Sequence, residues 1–216
     1  MTFHDRLVQH TGTERATLLS LPIIQSALGG RVTKTQYLAY LREAYHHVKH
    51  TLPLLMACGS RIPFSHEWLR TALAHYIEEE TGHQEWILSD ITQAGGDAEA
   101  VRQGSGSAAT EIMVAYAYDL IQRKNPCGFL GMVFVLEGTS VQLATHAAAA
   151  MQASLQLPDS AFTYLTSHGN LDINHMKFFS QLVNQLTLLQ DQEAVLSEAS
   201  IFYQLYSNLF RALPGA

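Results

Sequence analysis

Residues 128–153 read GFLGMVFVLEGTSVQLATHAAAAMQA. This is the most apolar stretch of the chain, so as a helix it belongs at the centre of a bundle. The run from Gly128 to Leu136 is interrupted by Glu137. Isolating an ionised carboxylate from water costs at least several kcal/mol, so Glu137 has to be paired, protonated or bound to metal. Basic partners are scarce, with 13 Lys and Arg among 216 residues. His146 lies nine residues on, about 180° around a helix, and does not share the site.

The helical period continues on both sides of this segment. Towards the N-terminus, Ala108–Arg123 forms a helix stopped by Asn125-Pro126, and Gly104–Ser107 is its linker. Ser65 caps a helix that runs through His75 and His83 to Gln93, where Gly95-Gly96 ends it. Thr33 and Gln36 read as a capping box opening a long helix from about Thr35 to Ala57, kinked at Pro53 and ended by Gly59–Pro63. Towards the C-terminus, Pro158 starts the next element, Ala161–Leu186 holds one or two helices with Gly169-Asn170 as a kink, and Glu193–Leu213 closes the chain. There is no strong strand signal, internal repeat or domain linker. The expectation is one all-α domain over residues 1–216, a bundle of seven or eight helices.

Composition narrows the function. Hydrophobic residues make up 47% and charged residues 15%, so each carboxylate in an apolar stretch needs a reason. The net charge of -6 argues against nucleic acid, which needs clustered Lys and Arg. Histidine is unusually common at 11 residues, a pointer to metal. The two cysteines, Cys58 and Cys127, make no disulfide framework. The N-terminus MTFHDRLVQH lacks the apolar core of a signal peptide, and the Gly128–Leu136 run is too short to span a bilayer. A cytoplasmic chain without a membrane segment is expected.

Four segments put acids or histidines on inward helix faces. Gln36, Tyr40, Glu43, His47 and His50 fall within about 80° of one another; the alternative is a solvated face of i,i+4 pairs. Glu80 and His83 make the Glu-x-x-His pattern of carboxylate-bridged metal sites, with Glu79 also sharing a face with His83. Glu137 is the third. The fourth is His168-x-x-x-Asp172-x-x-His175, whose side chains fall within about 60° on a continuous helix. Mixed carboxylate and imidazole donors suit Fe(II) or Mn(II), and four carboxylates balance two divalent cations.

In motif order, from Glu43 through Glu80 and His83, Glu137 and the closing His168, Asp172 and His175, the sequence resembles the heme-oxygenase-like diiron oxidases and oxygenases. The resemblance implies a seven-helix fold around two iron ions with O2 as co-substrate and a small-molecule substrate. By it Glu137 bridges the metals, Glu43, Glu80 and His83 complete one side, and His168, Asp172 and His175 the other. His47 and His50 are alternates, and Tyr40, His47 and Tyr76 are candidate catalytic or redox groups. Family habit also implies a homodimer, for which Phe202, Tyr206 and Phe210 offer an apolar face that could equally be core.

Rival readings lie in the same superfamily. Asn125-Pro126-Cys127-Gly128 is similar to the TenA-type thiaminases, which hydrolyse aminopyrimidines with a cysteine nucleophile, although the tail lacks their acid and aromatic cluster. Pyrroloquinoline-quinone synthase would use the histidines as acids and bases without metal. Heme binding and a non-catalytic metal-binding scaffold rank below these.

Overall fold

The computed structural model describes residues 1–215, and the side chains of all of these except 168–174. Among the described residues there are twelve α-helices and no strand. They are α1 (Phe3–His10), α2 (Gly12–Leu19), α3 (Pro22–Leu28), α4 (Lys34–Val48), α5 (Thr51–Arg61), α6 (Glu67–Glu80), α7 (His83–Gln93), α8 (Ala98–Gln103), α9 (Ala108–Arg123), α10 (Phe129–Leu155), α11 (Thr163–Val183) and α12 (Leu189–Arg211). Single 3₁₀ turns at Phe64–His66, Pro126–Gly128 and Asp159–Ala161 lead into α6, α10 and α11.

The count exceeds seven because two long helices are broken, three short ones precede α4 and a fourth, α8, follows α7. Pro53 lies in the first turn of α5, where its ring excludes the carbonyl of Lys49 from helical geometry, and the break falls at Lys49–His50. The segment ending at Gln93 breaks at Gly82, which adopts φ 93°, a left-handed conformation that glycine takes without strain. The predicted Thr33–Gln36 capping box is present. The Ser65 cap is not: Ser65 Oγ bonds the His66 ring instead, and α6 starts at Glu67 with no side-chain cap. Gly169-Asn170 does not break α11, which is one helix.

Helix α10 is the axis of the bundle. It packs against α11 and α12 and also touches α3 and α9. Together with its lead-in turn it is long and apolar enough to cross a membrane, and 56% of its most apolar stretch is buried inside the bundle. Gly131 sets the α10–α12 distance, since a Cβ there would sit 2.6 Å from the Ala199 backbone nitrogen. Phe202, Tyr206 and Phe210 all turn into this core, so they give no dimer face.

Candidate metal centre

A cavity of about 170 Å³ lies between α10 and the helices α3, α4, α5, α6, α11 and α12. Its walls are mostly aliphatic and aromatic, from Ile23, Ile24 and Val32 to Leu143 and Met151. No Lys or Arg is among the residues that line it. The polar groups include Tyr40 and His47 from α4, Tyr76 and Glu80 from α6, and Glu137 from α10.

The acids converge on His175, which is buried on α11. Its Nδ1 lies 3.7 Å from Glu80 Oε1 and 3.8 Å from Glu137 Oε1, and its Nε2 lies 3.3 Å from Glu79 Oε2. Tyr76 packs edge-on against the same imidazole, with ring centroids 5.9 Å apart. His83 Nδ1 holds the other oxygen of Glu80 at 2.9 Å, although the two residues sit on either side of the α6–α7 break. The His83 ring is in turn stacked on Trp86. Glu79 and Glu80 both reach His175, through opposite ring nitrogens.

His47 Nδ1 lies 2.9 Å from the Glu43 carbonyl oxygen. A carbonyl only accepts, so this bond puts the proton of the neutral ring on Nδ1 and leaves Nε2 as the basic nitrogen. Tyr40 stacks on Phe210 and bonds Tyr164. Burial holds its phenol far above the ordinary tyrosine range, so it stays protonated.

Two sequence expectations turn out differently. Glu43 is buried but faces α9, away from the cavity walls. Its Oε2 accepts from Ser107 N at 2.8 Å and Thr110 Oγ1 at 2.6 Å, and its Oε1 accepts from the Arg42 guanidinium. These bonds outweigh burial and hold its carboxyl below the usual glutamate range. His50 contacts Tyr118, also off the cavity. A helix face about 80° wide covers both the cavity wall and the neighbouring helix, so spacing alone does not separate Glu43 from His47. The side chains of His168 and Asp172 lie outside the described residues.

Sequence reasoning missed three buried acids, of which Glu198 is paired with Lys124 and Tyr116. Asp90 accepts from the backbone N–H groups of Thr163 and Tyr164 and so caps α11; burial pushes its carboxyl up to about 6. Asp191 belongs with His66 and Cys127. No sequence spacing joins these three, because they come from different turns of chain.

Donor chemistry at the first cluster fits a cation. Glu80 is buried and the Glu137 side chain is only 12% exposed, no basic side chain lines the cavity, and three carboxylates lie within 4 Å of the His175 imidazole. Donors about 2.0–2.2 Å from a shared ion stand roughly 3–3.5 Å apart; the Glu80 and Glu137 oxygens stand slightly farther, 3.7 and 3.8 Å from His175 Nδ1, and Glu79 faces the other ring nitrogen.

Comparison with known proteins points the same way. Residues 38–207 match a family described as iron-containing redox enzymes. A protein of unknown function with a heme oxygenase-like fold from Shewanella denitrificans OS217 shares 25% identity, with TM-score 0.85 over 96% of this chain and 90% of that one. A TenA homologue from Pseudomonas syringae pv. tomato has 10% identity and TM-score 0.82, covering 97% and 91%. Heme oxygenase-1 from the cyanobacterium Synechocystis sp. PCC6803, solved with heme, has 16% identity and TM-score 0.79, covering 100% and 93%. No curated protein matches the sequence.

Proposed function

The chain belongs to the family of iron-containing redox enzymes, and from that premise we propose that it is a non-heme diiron oxidase or oxygenase that uses O2 on a small apolar substrate. One observation carries the reading: Glu79, Glu80 and Glu137 lie around the buried His175, and two of them, Glu80 and Glu137, line an apolar cavity. Glu80, His83, Glu137 and His175 would hold the iron, with Glu79 and His47 as further donors; His168 and Asp172 join them by the family resemblance alone. Bound iron would supply the redox chemistry with O2; Mn(II) suits the same donors.

The chain's own residues then bind, orient and shield. The His83–Glu80 hydrogen bond and the Trp86 stack fix the ligand imidazole. Aliphatic walls exclude water and align an apolar substrate body. The protonated Tyr40 phenol offers a proton towards the cavity, and His47 Nε2 can accept one. With no Lys or Arg on the wall, an anionic substrate group would find neutral hydrogen-bond donors and bound metal but no fixed cationic side chain.

The TenA-type alternative is weaker, because Cys127 does not line the cavity and burial pushes its thiol up to about 12. A thiol that stays protonated is a poor nucleophile. A cytoplasmic, homodimeric enzyme is the accompanying proposal.

Anaerobic Fe(II) titration with metal analysis tests the function. The expected result is two irons per chain and iron-dependent O2 uptake, with at least one iron lost in Glu137→Ala. An unchanged iron count and affinity in that variant would sink the proposal.

A further inference from the structure

The second cluster lies apart from the cavity. His66 comes from the turn before α6, Cys127 from the turn before α10, and Asp191 from the first turn of α12. One ligand atom from each, imidazole nitrogen, thiol sulfur and carboxylate oxygen, lies within 4.8 Å of the other two. The residues are 7%, 1% and 4% exposed, which places all three donors out of water. None of them lines the cavity.

The hydrogen bonding shows what the cluster lacks. His66 Nε2 donates to Asp191 Oδ2 at 2.9 Å, and Asn125 Nδ2 donates to Asp191 Oδ1 at 2.7 Å. The Cys127 thiol also contacts Asp191. Among the described residues no Lys or Arg lies within 4.0 Å of this carboxylate; its one ion-pair partner is His66. A buried carboxylate without a fixed cation is costly. Three unlike donors on three chain segments, with an acid at their centre, form a place for a cation.

We propose that His66, Cys127 and Asp191 form a structural site for a borderline divalent cation, Zn²⁺ by ligand type, separate from the cavity. Thiolate, imidazole and carboxylate are the zinc donors, and three of them leave a fourth tetrahedral position. The Cys58 thiol, 3.5 Å from the Pro126 carbonyl, is a nearby protein group for that position, and water is the other. On binding, the Cys127 proton leaves to solvent. The His66 proton moves from Nε2 to Nδ1, where Ser65 Oγ lies 2.9 Å away to accept it. The ion would cross-link the entrances of α6, α10 and α12 and so contribute to stability.

Cobalt tests this, because a Co²⁺–thiolate bond absorbs in the near ultraviolet and the cavity cluster has no thiol. The full chain is stripped with a chelator and titrated with Co²⁺. The band is expected to reach the intensity of one Co²⁺–thiolate bond per chain, to be bleached by added Zn²⁺, to persist in Glu137→Ala and to vanish in Cys127→Ser. His66→Asn keeps the thiol and is expected to weaken Co²⁺ binding by about tenfold or more. No thiolate band in the parent protein, or a band unchanged in Cys127→Ser, would overturn the site. So would unchanged affinity in His66→Asn, the readout that remains if Cys127→Ser does not fold. Failure of the diiron reading would leave this band in place.

Discussion

The imidazole of His83 lies flat on the indole of Trp86, with ring centroids 4.1 Å apart and planes inclined by 26°. The stack joins a proposed metal ligand to a fluorophore. Iron at His83 is therefore expected to quench Trp86 emission in step with loading. The quench should survive in Trp68→Phe and disappear in Trp86→Phe. An identical quench in both variants would place the ion elsewhere.

Glu43 gives the opposite expectation. Its oxygens satisfy the α9 N-terminus, so Glu43→Gln should destabilise the metal-free chain by about 1–3 kcal/mol through lost charge-assisted hydrogen bonds. The iron count should not change. Denaturant unfolding and metal analysis on the same sample check both halves.

Asp90 sets a pH dependence. Its folded carboxyl titrates at about 6 against an ordinary 3.8. Between those values the folded chain keeps a proton that the unfolded chain has lost, so its contribution is full below the lower value and is lost as pH rises through the upper one. Burial pushes His4, His46 and His50 down, which works in the opposite sense near the same range. The signal is therefore the difference between the parent and Asp90→Asn. From pH 5 to pH 7 the parent is expected to lose about 1 kcal/mol more stability than the variant. Equal slopes in urea unfolding would refute the assignment.

Gly131 is a packing test. A methyl group there meets the α12 backbone, which cannot rotate away as a side chain could. Gly131→Ala is expected to cost about 1–3 kcal/mol in thermal unfolding and to perturb the cavity between α10 and α12.

Periodicity made the all-helical class and the central place of α10 legible, because one apolar face per helix leaves a repeating mark. It did not show the short helices before α4, whose few turns carry too little period, nor the break at Gly82. At the site, Glu80, His83, Glu137 and His175 were legible from helical spacing and from an acid in an apolar run. The direction of Glu43 was not, since it depends on which neighbour lies beside that turn of helix. The His66–Cys127–Asp191 group was invisible because its members meet only when three distant helix entrances do.

The glycine joint between α6 and α7 has a consequence for how the protein loads. Glu80 closes one rod and His83 opens the next, so an ion held by both would act as a splint across the bend. The empty chain keeps only a single hydrogen bond between those two side chains at that bend. Filling the centre would then stiffen the joint, and scarcity of metal would be felt first as slack in the scaffold.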